Sequence, residues 1–141
     1  MAFGLASGYG MFAALAGRFL YPYRSQPPEW LFVAEASSLR PGQSIAFRSP
    51  NGQTISVTRL TDNGTVEDFV ALSSVCPHLG CRVSWEIQNN RFFCPCHNGA
   101  FDATGNPTAG PPADAGQKLA QYPLKIENGL LFIQVAVDGL A

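Results

Sequence analysis

Side chains that bind soft metals are scarce in this 141-residue sequence, which has four cysteines, two histidines and two methionines. Charge is scarce as well, at 13% Asp, Glu, Lys and Arg against 46% hydrophobic residues. No charged residue precedes Arg18, and both charges before residue 29 are arginines. The remainder carries 7 basic against 10 acidic side chains. That balance excludes the strongly basic surface that nucleic acid selects. Internal repeats and low-complexity segments are absent, which excludes a solenoid and a disordered tract. Beyond the first twenty or so residues no amphipathic helical period appears, so a helix bundle is excluded too. The length is that of one domain.

All four cysteines and both histidines fall in two short loops, Cys76-Pro77-His78-Leu79-Gly80-Cys81 and Cys94-Pro95-Cys96-His97-Asn98-Gly99. Metal chemistry therefore has one place to occur. Cys76, His78, Cys94 and His97 form a Cys₂His₂ set spaced C-x-H, fifteen residues, C-x₂-H. A zinc knuckle is one reading, but zinc pairs are usually separated by two to four residues, and one residue separates Cys76 from His78. Two structural disulfides are another reading, and they leave both histidines unexplained. A Rieske 2Fe–2S centre, with two thiolates on one iron and two imidazoles on the other, uses the whole set. Cys81 and Cys96 lie five and two residues past the ligand cysteines and come to face each other when the loops meet; two free buried thiols are the alternative.

These loops resemble C-T-H-L-G-C and C-P-C-H-G-S of the Rieske iron–sulfur subunit of cytochrome bc-type quinol-oxidising complexes. The resemblance implies a disulfide between Cys81 and Cys96, a pair that Rieske ferredoxins and ring-hydroxylating oxygenases lack. It implies electron transfer from a membrane quinol to a c-type cytochrome beside a cytochrome b-type subunit, with proton uptake at His78 or His97. The chain is then one subunit of a quinol–cytochrome c reductase, with no complete active site of its own. Leu79, Gly80 and the second-loop residues become the collar of the cluster. Gly110-Pro111-Pro112 matches the start of the family's covering G-P-x-P loop, and Ala113 stands where the last proline is expected. A departure follows His97: the family has Gly-Ser-x-Tyr, and this sequence has Asn98-Gly99-Ala100-Phe101. Gly99 and Phe101 lack the two hydroxyls that bond cluster sulfurs in high-potential members. The expectation is a lowered potential, suited to menaquinol more than ubiquinol or plastoquinol. Against it, the Asn98 amide supplies a replacement donor, or Asn98 only serves a left-handed turn. Other readings are the Rieske subunit of an arsenite-oxidase-like complex, a Rieske ferredoxin, and a zinc-stabilised binding module.

Residues 1–23 read as a single transmembrane anchor, since 2–21 is about the 20 residues needed to cross roughly 30 Å of hydrocarbon. Small residues at Gly4/Gly8, Ala6/Gly10 and Ala13/Gly17 suit close helix approach in lipid, and Arg18, Tyr21 and Tyr23 make an interfacial belt. A cleaved signal peptide carries its positive charges before the apolar run, not after it; a buried core helix and a piece of a longer anchor are the other readings. Residues 24–29, with Pro27-Pro28, form a semi-rigid linker, which the resemblance makes a hinge. The two arginines place the domain in the cytoplasm by the positive-inside rule, and no twin arginine is visible. A disulfide requires an oxidising compartment, and the resemblance puts the domain on the periplasmic face of the inner membrane. The expectation follows the disulfide.

Residues 30–141 carry strand signals, with the cluster-binding part at about 74–116. Strands are expected at 30–34, 44–48, 54–60, 65–73, 83–87, 91–93, 119–126 and 130–137. Turns fall at Asn51-Gly52, Asp62-Asn63-Gly64, Asn89-Asn90 and Asn128-Gly129. Residues 105–116 read as a loop, with a plain surface turn as the alternative to a covering role. The expected fold is an all-β, Rieske-type antiparallel β-sandwich with an inserted cluster-binding subdomain.

Overall fold

The computed structural model describes residues 2–20 and 27–136. Tyr21, Tyr23, the first half of the expected linker (24–26) and Val137 lie outside the described residues. Helix α1 spans Ala2–Leu20. Its large apolar side chains Tyr9, Met11, Phe12, Leu15 and Leu20 are exposed. No helix among the described residues is long and apolar enough to cross a membrane.

The folded domain is all-β. Strands β1 (Glu29–Glu35), β2 (Ser44–Arg48), β3 (Thr54–Arg59), β4 (Phe69–Ser73), β5 (Ser84–Glu86), β6 (Arg91–Cys94), β7 (Gly99–Phe101) and β8 (Pro107–Ala109) precede the one-turn helix α2 (Pro111–Asp114). Strands β9 (Leu124–Glu127) and β10 (Leu130–Val135) close the chain. They form three antiparallel sheets, ordered β1-β10-β9, β2-β3-β4 and β5-β6-β7-β8.

Two apolar cores meet on β4. Phe69 and Ala71 join Ile55, Val57, Leu131, Ile133 and Val135 in the base core. Val70 and Leu72 face the other way, toward Cys76, Val83, Phe92, Cys94, Phe101 and Leu119. A strand that buries both faces reads as a continuous apolar run instead of alternating, and Phe-Val-Ala-Leu does so. β10 shows the ordinary half-buried case, with Leu131, Ile133 and Val135 inward and their neighbours half-buried.

The turns follow backbone chemistry. Asn128 and Gly129 both take positive φ between β9 and β10, as a two-residue type I′ hairpin requires. Gly52 takes positive φ between β2 and β3. The segment expected as strand from residue 65 begins as a 3₁₀ turn at Val66–Asp68, because the Asp68 side chain organises it. The buried Asp68 carboxylate accepts from Thr61 Oγ1 at 2.5 Å and from the N–H groups of Asn63, Gly64 and Thr65 at 3.0, 2.7 and 3.2 Å. Residues 119–123 do not form the expected strand; Gln121 makes only an isolated bridge to Leu72, and β9 starts after Pro123. Among residues 105–116, expected as loop, β8 and α2 form.

The hydrogen bond from Thr61, with those from the three N–H groups, holds the Asp68 carboxyl well below the usual carboxylate range, outweighing the cost of its burial. A depressed folded-state value stabilises the fold above the unfolded value near 4, and that stability is lost as pH falls toward the folded value. Urea unfolding between pH 7 and pH 2 is therefore expected to show a steep acid loss in the wild type. In Asp68→Asn the protein starts less stable and the acid slope is shallower, with the remainder coming from carboxylates such as Asp102 that are also held low.

Candidate metal centre

Both cysteine–histidine loops are hairpin tips growing out of the second core. The second loop joins β6 to β7, and Cys94 and Gly99 are its last paired residues. Four residues remain for the turn, and Asn98 supplies its left-handed position at φ 53°. The first loop follows β4. Val75 bridges Arg82, the Cys76 N–H donates to the Cys81 carbonyl at 2.7 Å, and the Gly80 N–H returns to the Cys76 carbonyl at 2.9 Å. Gly80 holds a φ of 75° that an L side chain resists.

The four donors sort by depth. Cys76 and Cys94 are free thiols in the apolar core, at 4% and 2% exposure. His78 is half-buried and His97 exposed, with ring centroids 4.9 Å apart and planes at 83°. Leu79 beside them is 69% exposed, an apolar side chain at the rim. Burial pushes the Cys76 thiol up, while the N–H groups of His78 and Leu79 aimed at its sulfur oppose the rise. Metal binding at such a thiol releases a proton.

Cys81 and Cys96 are bonded, with Cα atoms 6.5 Å apart, so one tip is stapled to the other. The sulfurs of Cys81, Cys94 and Cys96 lie within 4.8 Å of one another. Two of the three are already bonded, so this group is the disulfide lying against Cys94 and not a three-thiolate site.

A third segment seals the second tip. Gly110 takes φ 72°, and a Cβ there would stand 2.8 Å from the Asn98 carbonyl oxygen and 3.0 Å from that of His97. Only glycine lets the chain lie so close. Pro111 and Pro112 then start α2, where a missing N–H costs nothing. Pro112 is buried, and a Cβ on Gly99 would meet its Cγ at 3.1 Å and Cδ at 3.4 Å. Phe101 is fully buried among Cys76, Cys94, Phe92 and Val83.

The sequence reading missed the device that aims this segment. Asp102 Oδ1 accepts from Thr104 N, Thr104 Oγ1 and Asn106 N at 2.9, 2.8 and 2.9 Å, and Oδ2 from Asn106 Nδ2 at 3.0 Å. This closes the β7–β8 turn. The signal was present as an Asp two residues before Thr and four before Asn, an Asx-turn pattern.

Two buried thiols behind two imidazoles at the surface fit a two-iron cluster with unlike ends, one end sulfur and the other nitrogen. Residues 29–123 match the pattern of the Rieske [2Fe-2S] domain. The chain belongs to the Rieske family. The family's cofactor is the 2Fe–2S cluster. The chain is 33% identical over 136 residues to the cytochrome b6-f complex iron-sulfur subunit of Chlorobaculum thiosulfatiphilum, covering 90% of this chain and 70% of that one. It is 41% identical over 69 residues to the menaquinol:cytochrome c reductase iron-sulfur subunit of Geobacillus thermodenitrificans, covering 47% of this chain and 40% of that one. A solved hyperthermophilic respiratory Complex III contains a similar chain, at TM-score 0.56 and 30% identity, with 92% of this chain and 94% of that one covered.

The Rieske disulfide closes a sequence separation of 15 residues, for which loop-closure entropy gives about 3 kcal/mol. Cys81→Ser with Cys96→Ser is expected to lose about that much by guanidinium unfolding, and to lose the cluster faster than the wild type on dilution. Gly110→Ala is expected to cost about 1–3 kcal/mol from φ alone, with added loss where its Cβ meets the Asn98 carbonyl; the same unfolding assay reads it.

Proposed function

We propose that this Rieske protein is the iron–sulfur subunit of a cytochrome bc-type complex, taking electrons from a membrane quinol and passing them to a c-type cytochrome. Cys76 and Cys94 would hold one iron and His78 and His97 the other. The observation that carries this reading is the division of one four-donor set by depth, thiols in the core and imidazoles at the surface, on tips joined by a disulfide. When bound, the cluster supplies a one-electron acceptor whose histidine ligation raises its potential above that of all-cysteine centres.

The residues do the rest. With the cluster bound, the exposed imidazole of His97 would be the group to meet a quinol hydroxyl and take its proton, and the half-buried His78 would be the second such group. Leu79 at the rim, with Pro112 behind the second loop, keeps water from the sulfur side. The disulfide and Gly110 fix the spacing of the tips, so both imidazole edges are presented together. The names of the two curated relatives support the partners: a b6-f complex for one and a menaquinol:cytochrome c reductase for the other.

The tether is part of the proposal. Helix α1, with 19 residues, is about 28 Å long at 1.5 Å per residue, close to the hydrocarbon thickness. Its exposed Tyr9, Met11, Phe12, Leu15 and Leu20 suit lipid or a neighbouring helix, and its glycines lower its hydropathy without shortening it. The disulfide supports a position of the domain on the oxidising, outer face.

Menaquinol is the donor this site favours. Gly99 and Phe101 carry no hydroxyl, and hydrogen bonds to cluster sulfurs raise the potential. Asn98 stands in the left-handed position of the turn, which supports its turn role.

Two measurements test these proposals. Dithionite-reduced wild type is expected to give a Rieske EPR signal, lost in His78→Ala, and to co-purify with a haem b protein; a normal signal in the variant overturns the ligand assignment. In redox titration, Phe101→Tyr is expected to raise the midpoint. Gly99→Ser is expected to raise it more fully together with Pro112→Ala, because the proline ring stands 3.1 Å from the serine Cβ position and has to give by a few tenths of an ångström. No rise in either overturns the hydroxyl argument.

A further inference from the structure

Two arginines beside the first tip take no part in the site described above. Arg48 pairs with Thr54 across β2 and β3, the Ser74 N–H donates to the Thr54 carbonyl at 2.9 Å, and Val75 bridges Arg82. Arg48, Thr54, Ser74 and Arg82 therefore form a row from the base sheet to the first tip. With Ala46, Val75 and Gly80 they line an open cleft of about 360 Å³ that has no carboxylate in its wall. Both arginines are exposed. Among the described residues neither makes an ion pair.

A cationic notch is unexpected on a domain whose acids outnumber its bases. Two guanidiniums with Thr54 beside them are the chemistry that holds carboxylates. The rim identifies what bears them. Val75 is 46% exposed in the wall and Leu79 69% exposed on the same tip. Exposed apolar side chains next to a charged pair give the mixed surface of a protein interface, and a small anion has no use for them.

We propose that this cleft docks an acidic segment of the protein that exchanges electrons with the metal centre, its carboxylates seated between Arg48 and Arg82. Seated there, the partner lies against the tip that carries His78. The charge pair steers the encounter and sets orientation, an effect that fades with salt. The identity of the partner as an electron-transfer protein rests on the function proposed above; the binding of carboxylates does not.

The experiment has two arms, both on the full chain. In the first, hexaglutamate peptide is titrated calorimetrically at low ionic strength. The wild type is expected to bind it, Arg48→Gln with Arg82→Gln to bind at least tenfold more weakly, and Arg40→Gln, away from the cleft, to bind as wild type. In the second, dithionite-reduced protein is oxidised in stopped flow by anionic ferricyanide or by cationic hexaammineruthenium(III). The double variant is expected to lower the ferricyanide-to-ruthenium rate ratio about tenfold at low salt and to leave it unchanged at high salt. Equal peptide binding in wild type and double variant overturns the proposal. So does inorganic phosphate binding at the arginines without peptide binding, which would make the cleft a small-anion site. Lack of a reducible cluster would defeat the proposed function instead, and the peptide arm would still decide the cleft.

Discussion

Everything in the cluster-binding half of this Rieske protein depends on keeping two sulfurs inside an apolar core while two imidazoles, two and three residues further along, stay at the surface. A hairpin tip is the shortest structure that turns a chain from core to solvent in that distance. Two such tips must also stand edge to edge, although each is flexible alone. The structure meets this with three unlike constraints: a covalent bond between Cys81 and Cys96, a backbone contact at Gly110 that excludes any side chain, and a buried proline ring against Gly99. Each bears on a different part of the second tip: Cys96, the His97–Asn98 backbone and Gly99.

The base of the domain has a simpler task, which is to hold β4 still. That strand faces the base core with Phe69 and Ala71 and the cysteine core with Val70 and Leu72. Its end runs directly into Cys76, so packing around Ile55 and Ile133 reaches the first tip through one rigid strand. The Asp68 carboxylate fixes where β4 begins. The metal centre is therefore positioned from the fold outward and not from the loops inward.

How much of this the sequence showed depended on whether the signal was local. That the two cysteine–histidine loops meet was legible because six rare side chains fall in two short segments. β2 was read with its correct ends, and the Asn128-Gly129 turn was placed, because alternation and αL-tolerant residues are local signals. β7, β8 and α2 were not legible. Gly99-Ala100-Phe101 has too few residues to show a period, and Pro107 opens a strand that exists only because β7 lies beside it. The reverse error at residues 119–123 has the same cause. Apolar Leu119 and Tyr122 look strand-like, but they are used as plugs: Leu119 fills the cysteine core, and its N–H bonds the Gly105 carbonyl instead of a ladder partner.

The contact between Gly99 and Pro112 shows why site residues are not independent letters. Seen alone, glycine at position 99 is a missing hydroxyl, and a serine would restore it. In the structure that serine presses on Pro112, whose ring packs 3.1 Å from where the Cβ would be and has to give by a few tenths of an ångström. A ring in that place excludes water from the second loop more completely than a hydroxyl does, and it gives no hydrogen bond to a sulfur. Both effects disfavour extra negative charge on a centre behind it, because burial in apolar surroundings and loss of a donor each penalise the more charged state. The glycine and the proline therefore act in the same direction. The low potential proposed for this site belongs to the pair, and a substitution at either residue is read correctly only against the other.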